Sequence, residues 1–304
     1  MPTINAISTT LDQLNHIILG KEQAIKLAFT CLLAKGHLLI EDLPGMGKTT
    51  LSHALSNSLG LQYQRIQFTS DLLPGDLLGI NIFDKNEGVF SFHPGPIFAN
   101  IVLTDEINRA PPKTQSALLE AMEEGQVTTE GKTRTLPSPF FVIATQNPSE
   151  QAGTYPLPES QLDRFMMRIS LGYPSKESEK RLLMGSSRRE LLKNIQASLN
   201  ADTLEKIQAL VGKVKCAESL IDYIYRLVEF TRIQSGANHG LSPRAAMALL
   251  HAAKSWALIE GRNHVIPDDI QAVFPSVAEH RISGGQSHTD NPLSQNILKT
   301  VDIF

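Results

Sequence analysis

The run from residue 42 to residue 50, Asp-Leu-Pro-Gly-Met-Gly-Lys-Thr-Thr, contains residue types that bind phosphate. The two glycines let the backbone turn its amides toward an anion, and a helix that begins near Lys48 adds the positive end of its dipole. Lys48 would reach the terminal phosphates of a nucleotide, and the Thr49 hydroxyl would bind magnesium. The candidate nucleotide-binding residues here are Pro44, Gly45, Met46, Gly47, Lys48, Thr49 and Thr50.

Position 42 departs from the usual pattern of such phosphate loops. The pattern begins with a glycine, whereas this chain has Asp42 at that place. Aspartate tolerates turn geometry better than most residues, so the sequence remains compatible with the loop. The alternative interpretation is an ordinary glycine turn in front of a helix.

Two carboxylates and an amide follow other apolar runs. Asp105 and Glu106 come directly after one run, and Asn147 follows another. Asp105 would hold magnesium through water, and Glu106 would polarise an attacking water. Because ligands of open parallel sheets bind at the carboxyl ends of the strands, we expect these side chains to converge with Lys48. The alternatives are an acidic strand end that faces solvent and, for Asn147, a turn residue before Pro148.

The elements that would position these residues form an α/β pattern. Short apolar runs alternate with helical periodicity, which indicates a parallel sheet covered by helices on both faces. Strand pairs 81–83 with 89–92 and 126–129 with 133–135 flank turn residues and predict two hairpin insertions. The five predicted sheet strands are residues 38–40, 65–68, 101–103, 140–144 and 166–171.

The pattern changes after residue 171. Gly172 to Ser175 is a plausible linker, and residues 176–279 read as amphipathic helices joined by short loops. We therefore predict two domains, an α/β domain over residues 1–173 and an α-helical domain over residues 174–304.

Composition excludes several classes of protein. The 304 residues carry 28 basic and 31 acidic side chains, a net charge of −3, and 41% hydrophobic residues. This balance argues against disorder and against a protein that coats nucleic acid. Two cysteines cannot build a disulfide framework or a four-ligand zinc site, and we interpret them as reduced, mostly buried thiols. The lack of a signal-peptide pattern and of a long apolar run predicts a cytoplasmic protein without a membrane span.

Several longer motifs resemble the MoxR family, within the AAA+ superfamily of ATPases. This resemblance covers nearly the whole chain, and an aspartate at position 42 fits the family's version of the phosphate loop. It implies a five-stranded parallel P-loop sheet with flanking helices and two hairpin insertions, followed by a small all-α lid. The motifs lie at residues 41–49, 67–76, 94–100, 105–110, 157–165 and 240–245.

The resemblance also implies residue roles. Lys48 and Thr49 would be the Walker A residues, Asp105 and Glu106 the Walker B pair, and Asn147 the sensor that positions the lytic water. Residues 17–20, including Ile18, would hold adenine. The implied cofactors are ATP and Mg²⁺.

Two arginines have implied roles in catalysis. Arg164 resembles an arginine finger that reaches the ATP of the neighbouring subunit, and Arg244 resembles a second sensor that projects from the lid onto the γ-phosphate, close to Lys48. A guanidinium suits both roles because the phosphoryl group in transfer carries negative charge on its oxygens. The alternatives are an internal ion pair for Arg164, with Asp163 or Glu159, and a solvent-facing Arg244. Arg109 is a competing finger candidate.

The implied activity is ATP-driven remodelling of a protein client by a homo-oligomeric, hexameric ring. The family resemblance adds a partner with a von Willebrand factor A domain and a role in client maturation or metal-cofactor insertion. Lys132 and Arg134, on the second hairpin, are candidates to touch a client, with a solvated turn as the alternative. Competing hypotheses are a metal-chelatase motor subunit, a nucleic-acid-dependent motor, a small-molecule P-loop kinase and a nucleotide-binding scaffold with little turnover.

Overall fold

The computed structural model describes residues 2–43, 45–146, 154–184, 192, 194–233, 239–283 and 292–303. The strands are β1 (Leu38–Glu41), β2 (Tyr63–Gln67), β3 (Gly79–Asp84), β4 (Val89–Pro94), β5 (Ile101–Asp105), β6 (Gln126–Thr129), β7 (Lys132–Thr135), β8 (Phe141–Gln146) and β9 (Met167–Ile169). The helices are α1 (Pro2–Ile17), α2 (Glu22–Leu33), α3 (Lys48–Ser58), α4 (Pro74–Leu78), α5 (Pro112–Glu124), α6 (Glu159–Leu162), α7 (Lys176–Met184), α8 (Ala201–Lys213), α9 (Glu218–Ile233), α10 (Pro243–Ile259), α11 (Pro267–Ile282) and α12 (Leu293–Thr300).

The central sheet has five parallel strands in the order β2-β5-β8-β1-β9. The predicted parallel sheet is therefore confirmed, with β8 inserted between β1 and β5. Strands β1 and β5 are buried along their whole length, which explains their continuous apolar sequences. Edge strand β2 exposes most of its residues and has an alternating sequence. All carboxyl ends point to one edge, so the loops that follow β1, β5 and β8 meet there.

Both predicted hairpins are present as separate antiparallel ribbons, β3 with β4 and β6 with β7. The ribbons contact each other. The Asn81 amide hydrogen-bonds Glu130, and the Arg134 guanidinium lies 3.6 Å from the centre of the Phe92 ring. They therefore brace one another.

The second half of the chain is helical, as predicted, and packs on the N-terminal helices and on the sheet edge. The buried apolar side chains of α2, β1 and the helices α8–α11 belong to one continuous core. Two hydrogen bonds reach α2 from this half, Ser255 Oγ to the Thr30 carbonyl at 2.9 Å and Gln208 Nε2 to the Leu32 carbonyl at 2.9 Å. The domain boundary near residue 173 stays a prediction.

The cysteines are free thiols, Cys31 buried and Cys216 half-buried. Burial raises the pKa of the Cys31 thiol, which keeps it protonated. In the part of the chain that the structure describes, no helix is both long and apolar enough to cross a membrane.

Candidate active site

The phosphate loop connects the buried end of β1 to helix α3. Gly45 and Gly47 have φ angles of +85° and +97°, a region in which L side chains are strained. Lys48 begins the helix, is 9% exposed, and donates from Nζ to the Asp42 carbonyl at 2.7 Å. Pro44 lies outside the described residues. The loop therefore has the backbone conformation that the glycine spacing predicts.

Lys48 lies within the electrostatic reach of the predicted catalytic carboxylates. Burial lowers the pKa of its ammonium group, while the carboxylates of Asp42, Asp105 and Glu106 act in the opposite direction. Strands β1 and β5 both pair with β8 in the parallel sheet, so the residues that follow them converge at its carboxyl edge. The predicted cation, Lys48, and the predicted carboxylate pair, Asp105 and Glu106, therefore lie at the same edge of the sheet.

Asp42, at the start of the phosphate loop, has a structural role. Its carboxylate accepts hydrogen bonds from Ser170 Oγ at 3.0 Å, from the Leu171 amide, and from the Gly172 amide at 3.2 Å. Lys21 Nζ donates to the Gly172 carbonyl at 2.7 Å. A glycine would make none of these side-chain bonds, so Asp42 ties the start of the loop to the chain after β9.

Asp105 is 6% exposed and has two side-chain partners. Arg65 Nε donates to Oδ2 at 2.6 Å, and Thr145 Oγ1 donates to Oδ1 at 3.2 Å. Thr145 Oγ1 in turn accepts from the Glu106 amide at 3.0 Å. The adjacent strands β2 and β8 therefore fix the carboxylate that would hold magnesium.

Glu106 adopts a left-handed conformation, φ 58° and ψ 51°, which is uncommon outside glycine. Its carboxylate accepts from Gln67 Nε2 at 2.9 Å and lies 3.2 Å from Arg109 Nε. Arg109 therefore lies at the carboxyl edge beside the candidate site of its own chain, and its role as a competing finger stays a prediction. The side chain of Glu106 is held at the mouth of the site by these two contacts.

Sequence reasoning missed Arg65, Gln67 and Thr145. Arg65 and Gln67 are two residues apart on β2, so they lie on one face of the strand. The alternating pattern of β2 indicates that Arg65 and Gln67 share a face, but the pairing of Arg65 with Asp105 depends on which strand lies beside β2. Asn147, the predicted sensor, follows β8 and lies outside the described residues.

Arg164 and Arg244 come together on one carboxylate, Glu123 at the end of α5. Arg164 Nη2 is 3.2 Å from Glu123 Oε2, and Arg244 Nη2 contacts Oε1. Arg164 thus has the internal ion pair that was the alternative interpretation, but with Glu123 as its partner, because Asp163 pairs with Arg281 and Glu159 with His239.

The two arginines lie at the amino edge of the sheet, opposite the phosphate loop. His37, just before β1, bonds the carbonyl of Met122 at 3.1 Å, next to Glu123, and lines the same cavity of about 480 Å³ as both arginines. The prediction that the lid brings Arg244 close to Lys48 of the same chain is therefore wrong for this structure. The start of α10 is held there by the bond from Ser242 to Asp163 and by the contact of Arg244 with Glu123, and the catalytic role of Arg244 stays a prediction.

The predicted adenine segment is divided between the core and a cleft. Ile18 is 3% exposed and packs in the apolar core, and its contact with adenine stays a prediction. Gly20 lines an open cleft of about 380 Å³, together with Lys21, Glu41 and residues of α11 and α12. Space for a base is therefore available beside the end of β1, bordered by Gly20 rather than by Ile18.

The candidate magnesium ligands fit the ion by their chemistry. Thr49, on the first turn of α3, and Asp105, at the end of β5, supply a hydroxyl and a carboxylate oxygen at the same edge, and Mg²⁺ prefers oxygen ligands. Among the described residues, no group of three or more histidine, cysteine or acidic side chains forms a protein-only metal site. The magnesium site would therefore be completed by phosphate and water.

Lys132 and Arg134, the two candidate client contacts on the second hairpin, differ in their exposure to solvent. Lys132 is exposed, whereas Arg134 stacks on Phe92 and donates to Thr129 Oγ1 at 2.8 Å. Arg134 therefore joins the two ribbons, whereas the alternative interpretation was that it lies in a solvated turn. Phe83 and Phe90, 50% and 71% exposed, form a ring pair near the end of the first hairpin, with centres 5.2 Å apart.

Comparisons with known proteins agree with this architecture. The family of ATPases associated with various cellular activities (AAA) matches residues 37–167, and the AAA lid domain matches residues 229–301. The chain is 45% identical to protein YeaC of Bacillus subtilis over 91% of this chain and 86% of that protein. It is 40% identical to Chaperone MoxR1 of Mycobacterium tuberculosis over 92% of this chain and 76% of that protein.

A solved structure shows the same fold. The crystal structure of a Cytophaga hutchinsonii protein assigned as an ATPase has a TM-score of 0.87 and 38% identity, and the match covers 99% of this chain and 95% of that one. Fold, phosphate loop and carboxylate pair define an ATPase of the AAA+ superfamily. The chain belongs to the MoxR family of these enzymes.

Proposed function

We propose that the protein hydrolyses Mg²⁺-ATP at the interfaces of a head-to-tail ring. Each chain would bind ATP with its own phosphate loop, and the next chain would supply Arg164 and Arg244. The observation that carries this proposal is the position of both arginines at the sheet edge opposite Lys48. In a head-to-tail ring each interface joins two different surfaces, so residues that act on a neighbour lie away from the subunit's own site.

Each polar residue at the carboxyl edge has a distinct task in this proposal. Lys48 binds the terminal phosphates, while Thr49 and Asp105 hold magnesium, which neutralises phosphate charge when bound. Glu106, oriented by Gln67, polarises the attacking water, and Asn147 positions that water. Hydrolysis then depends on guanidinium groups from the neighbour, so it depends on assembly.

We further propose that hydrolysis remodels a protein client in the cytoplasm, together with a protein that contains a von Willebrand factor A domain. The similarity to Chaperone MoxR1 supports a chaperone-like role. The exposed aromatic pair Phe83 and Phe90 suits contact with an apolar segment of a protein, and the net charge of −3 argues against a nucleic-acid partner. A hexameric ring and a part in metal-cofactor insertion belong to the same proposal through the family resemblance.

The experiment is nucleotide-dependent capture with Glu106→Gln, which should bind ATP and hydrolyse it slowly. With ATP present, this variant is expected to sediment as a ring and to retain a von Willebrand factor A protein from the same cells. Lys48→Ala, which removes the phosphate ligand, is the matched control and is expected to retain none. Equal capture with both variants would contradict the proposal, because nucleotide would then have no part in retaining the partner.

A further inference from the structure

Arg281, on helix α11 of the lid, is buried against the segment that carries Arg164. Its Nε donates to Asp163 Oδ1 at 2.7 Å, and Nη2 donates to the carbonyls of Asp163 at 3.1 Å and Phe165 at 2.7 Å. Nη1 donates to the Met166 carbonyl at 3.2 Å, and the side chain is only 6% exposed. Arg281 therefore holds the backbone on both sides of Arg164, and it also holds the side chain of Asp163.

Asp163 links the same lid arginine to the segment of Arg244. Its carboxylate accepts from Ser242 Oγ at 3.1 Å in addition to Arg281. Ser242 is the N-cap of α10 and accepts from the Ala245 amide at 3.1 Å, so it sets the first turn, which contains Arg244. A single carboxylate therefore connects the two segments that carry the cluster's arginines.

The chemistry of these contacts favours rigidity. A planar guanidinium with several satisfied donors holds its partners in one geometry, which a flexible ammonium group does not do. By contrast, the contacts of Arg164 and Arg244 with Glu123 are partly exposed, with side-chain exposures of 29% and 47% for the arginines. Such pairs exchange readily, so a neighbour's phosphates can replace Glu123 while the buried contacts persist.

We infer that Arg281 and Asp163 are positioning residues that hold Arg164 and Arg244 for the ATP of the neighbouring subunit. This inference rests on the proposed function and extends it. Since Arg281 belongs to the lid, lid position in one subunit would control hydrolysis in the next. Neither residue touches the nucleotide of its own chain, because both lie at the amino edge of the sheet.

The test is a subunit-mixing assay of ATP hydrolysis. Lys48→Ala subunits bind no ATP but keep their arginines, and Arg164→Ala subunits bind ATP but lack the finger, so their mixture is expected to recover activity. A Lys48→Ala, Arg281→Gln donor is expected to lower this recovery by about 10²-fold, the cost of a small misplacement of a catalytic group. Conversely, Arg281→Gln subunits keep their own phosphate loop, and Lys48→Ala donors keep Arg281. Mixing the two is therefore expected to restore ATP hydrolysis, as it does for Arg164→Ala subunits.

The control is Arg262→Gln, which breaks another lid ion pair, with Asp269 at 2.5 Å, away from the cluster. A Lys48→Ala, Arg262→Gln donor is expected to give full recovery. Should Arg281→Gln lower the melting temperature or prevent assembly, the isosteric Asp163→Asn replaces it in the donor.

Three results would overturn parts of the account. Full recovery with the Arg281 and Asp163 donor variants would refute the positioning role. Failure of Lys48→Ala donors to restore Arg281→Gln, while they restore Arg164→Ala, would show that Arg281 serves its own subunit's site. No recovery in the mixture of Lys48→Ala with Arg164→Ala would refute the proposed function, and the inference with it.

Discussion

Neighbouring side chains hold Glu106 in one orientation. Its amide donates to Thr145, its carboxylate accepts from Gln67, and Arg109 lies beside it. The left-handed backbone at Glu106 costs about 1–3 kcal/mol for a residue other than glycine, and strain of this kind is concentrated at functional sites. The residue that would polarise water is therefore oriented by three neighbours.

We expect Glu106→Gln to bind ATP with near wild-type affinity and to hydrolyse it about 10²–10⁴-fold more slowly, because an amide cannot act as a base. Binding of a fluorescent ATP analogue and release of phosphate measure the two effects separately. Glu87→Gln, in the exposed loop of the first hairpin, is the control and should leave basal hydrolysis unchanged. Wild-type turnover in Glu106→Gln would remove Glu106 from the mechanism.

The contacts around Asp105 illustrate what sequence leaves open at the residue scale. The roles of Lys48, Asp105 and Glu106 follow from residue type and spacing. The bond from Arg65 to Asp105 requires β2 to pair with β5 in register, with Gln67 opposite Asp105. Register between strands distant in sequence is a tertiary property, so the alternating pattern of β2 could not identify the carboxylates that Arg65 and Gln67 contact.

At the scale of elements, the turn between β1 and α3 depends on the positive φ of Gly47. We expect Gly47→Ala to weaken ATP binding by about tenfold or more, because a side chain at φ +97° costs about 1–2 kcal/mol or forces the loop to move. Calorimetric titration with ATP measures this loss.

The control for that variant is Gly212→Ala. Gly212 lies in α8, its φ is not positive, and an added Cβ would meet open space. This change should raise the free energy of unfolding by about 0.5–1 kcal/mol and leave ATP affinity unchanged. Equal ATP affinity in Gly47→Ala and wild type would show that the loop geometry is not needed for binding.

His37 joins β8 to the end of α5 and predicts a pH dependence of stability. Its Nδ1 accepts from the Val142 amide at 3.0 Å, so Nε2 carries the proton toward the Met122 carbonyl. Burial lowers the pKa of His37 to about 4, which means that the unfolded chain binds the proton more tightly. The contribution of His37 to the free energy of unfolding is therefore complete above about pH 6.5 and is lost as the pH falls toward 4.

We expect His37→Gln to reduce the slope of unfolding free energy against pH between about 6.5 and 4, by at most about 1.4 kcal/mol per pH unit. Urea denaturation at several pH values measures this slope. Part of the slope should remain, because burial also lowers the pKa of His280. The exposed His93→Gln serves as the control, and an unchanged slope in His37→Gln would refute the assignment.

The extent of β9 shows why element ends are harder to predict than elements. The sequence pattern extends to residue 171, whereas the strand ends at Ile169. Ser170 and the amides of Leu171 and Gly172 bond Asp42 instead of continuing the ladder. Apolar and alternating patterns predicted all five strands, but a side-chain acceptor from the phosphate loop decided where the last one ends.

At the scale of the whole molecule, the chain has two chemically different edges. The carboxyl edge of the sheet carries Lys48, Asp105 and Glu106, and the amino edge carries Arg164 and Arg244. Sequence predicted the residues on both edges. It placed Arg244 at the wrong edge, because the packing of the lid on α2 and β9 is set by tertiary contacts among buried apolar faces that many arrangements would satisfy.

The rate of hydrolysis per subunit, measured against protein concentration at saturating ATP, tests the central claim most directly. Sedimentation at each concentration gives the fraction of monomer. We expect the rate per subunit to fall as dilution raises the fraction of monomer, toward the level of Arg164→Ala, which is about 10³-fold below the assembled enzyme. Monomers that hydrolyse ATP as fast as the assembled protein would contradict this claim, because the phosphate loop and its own chain would then suffice.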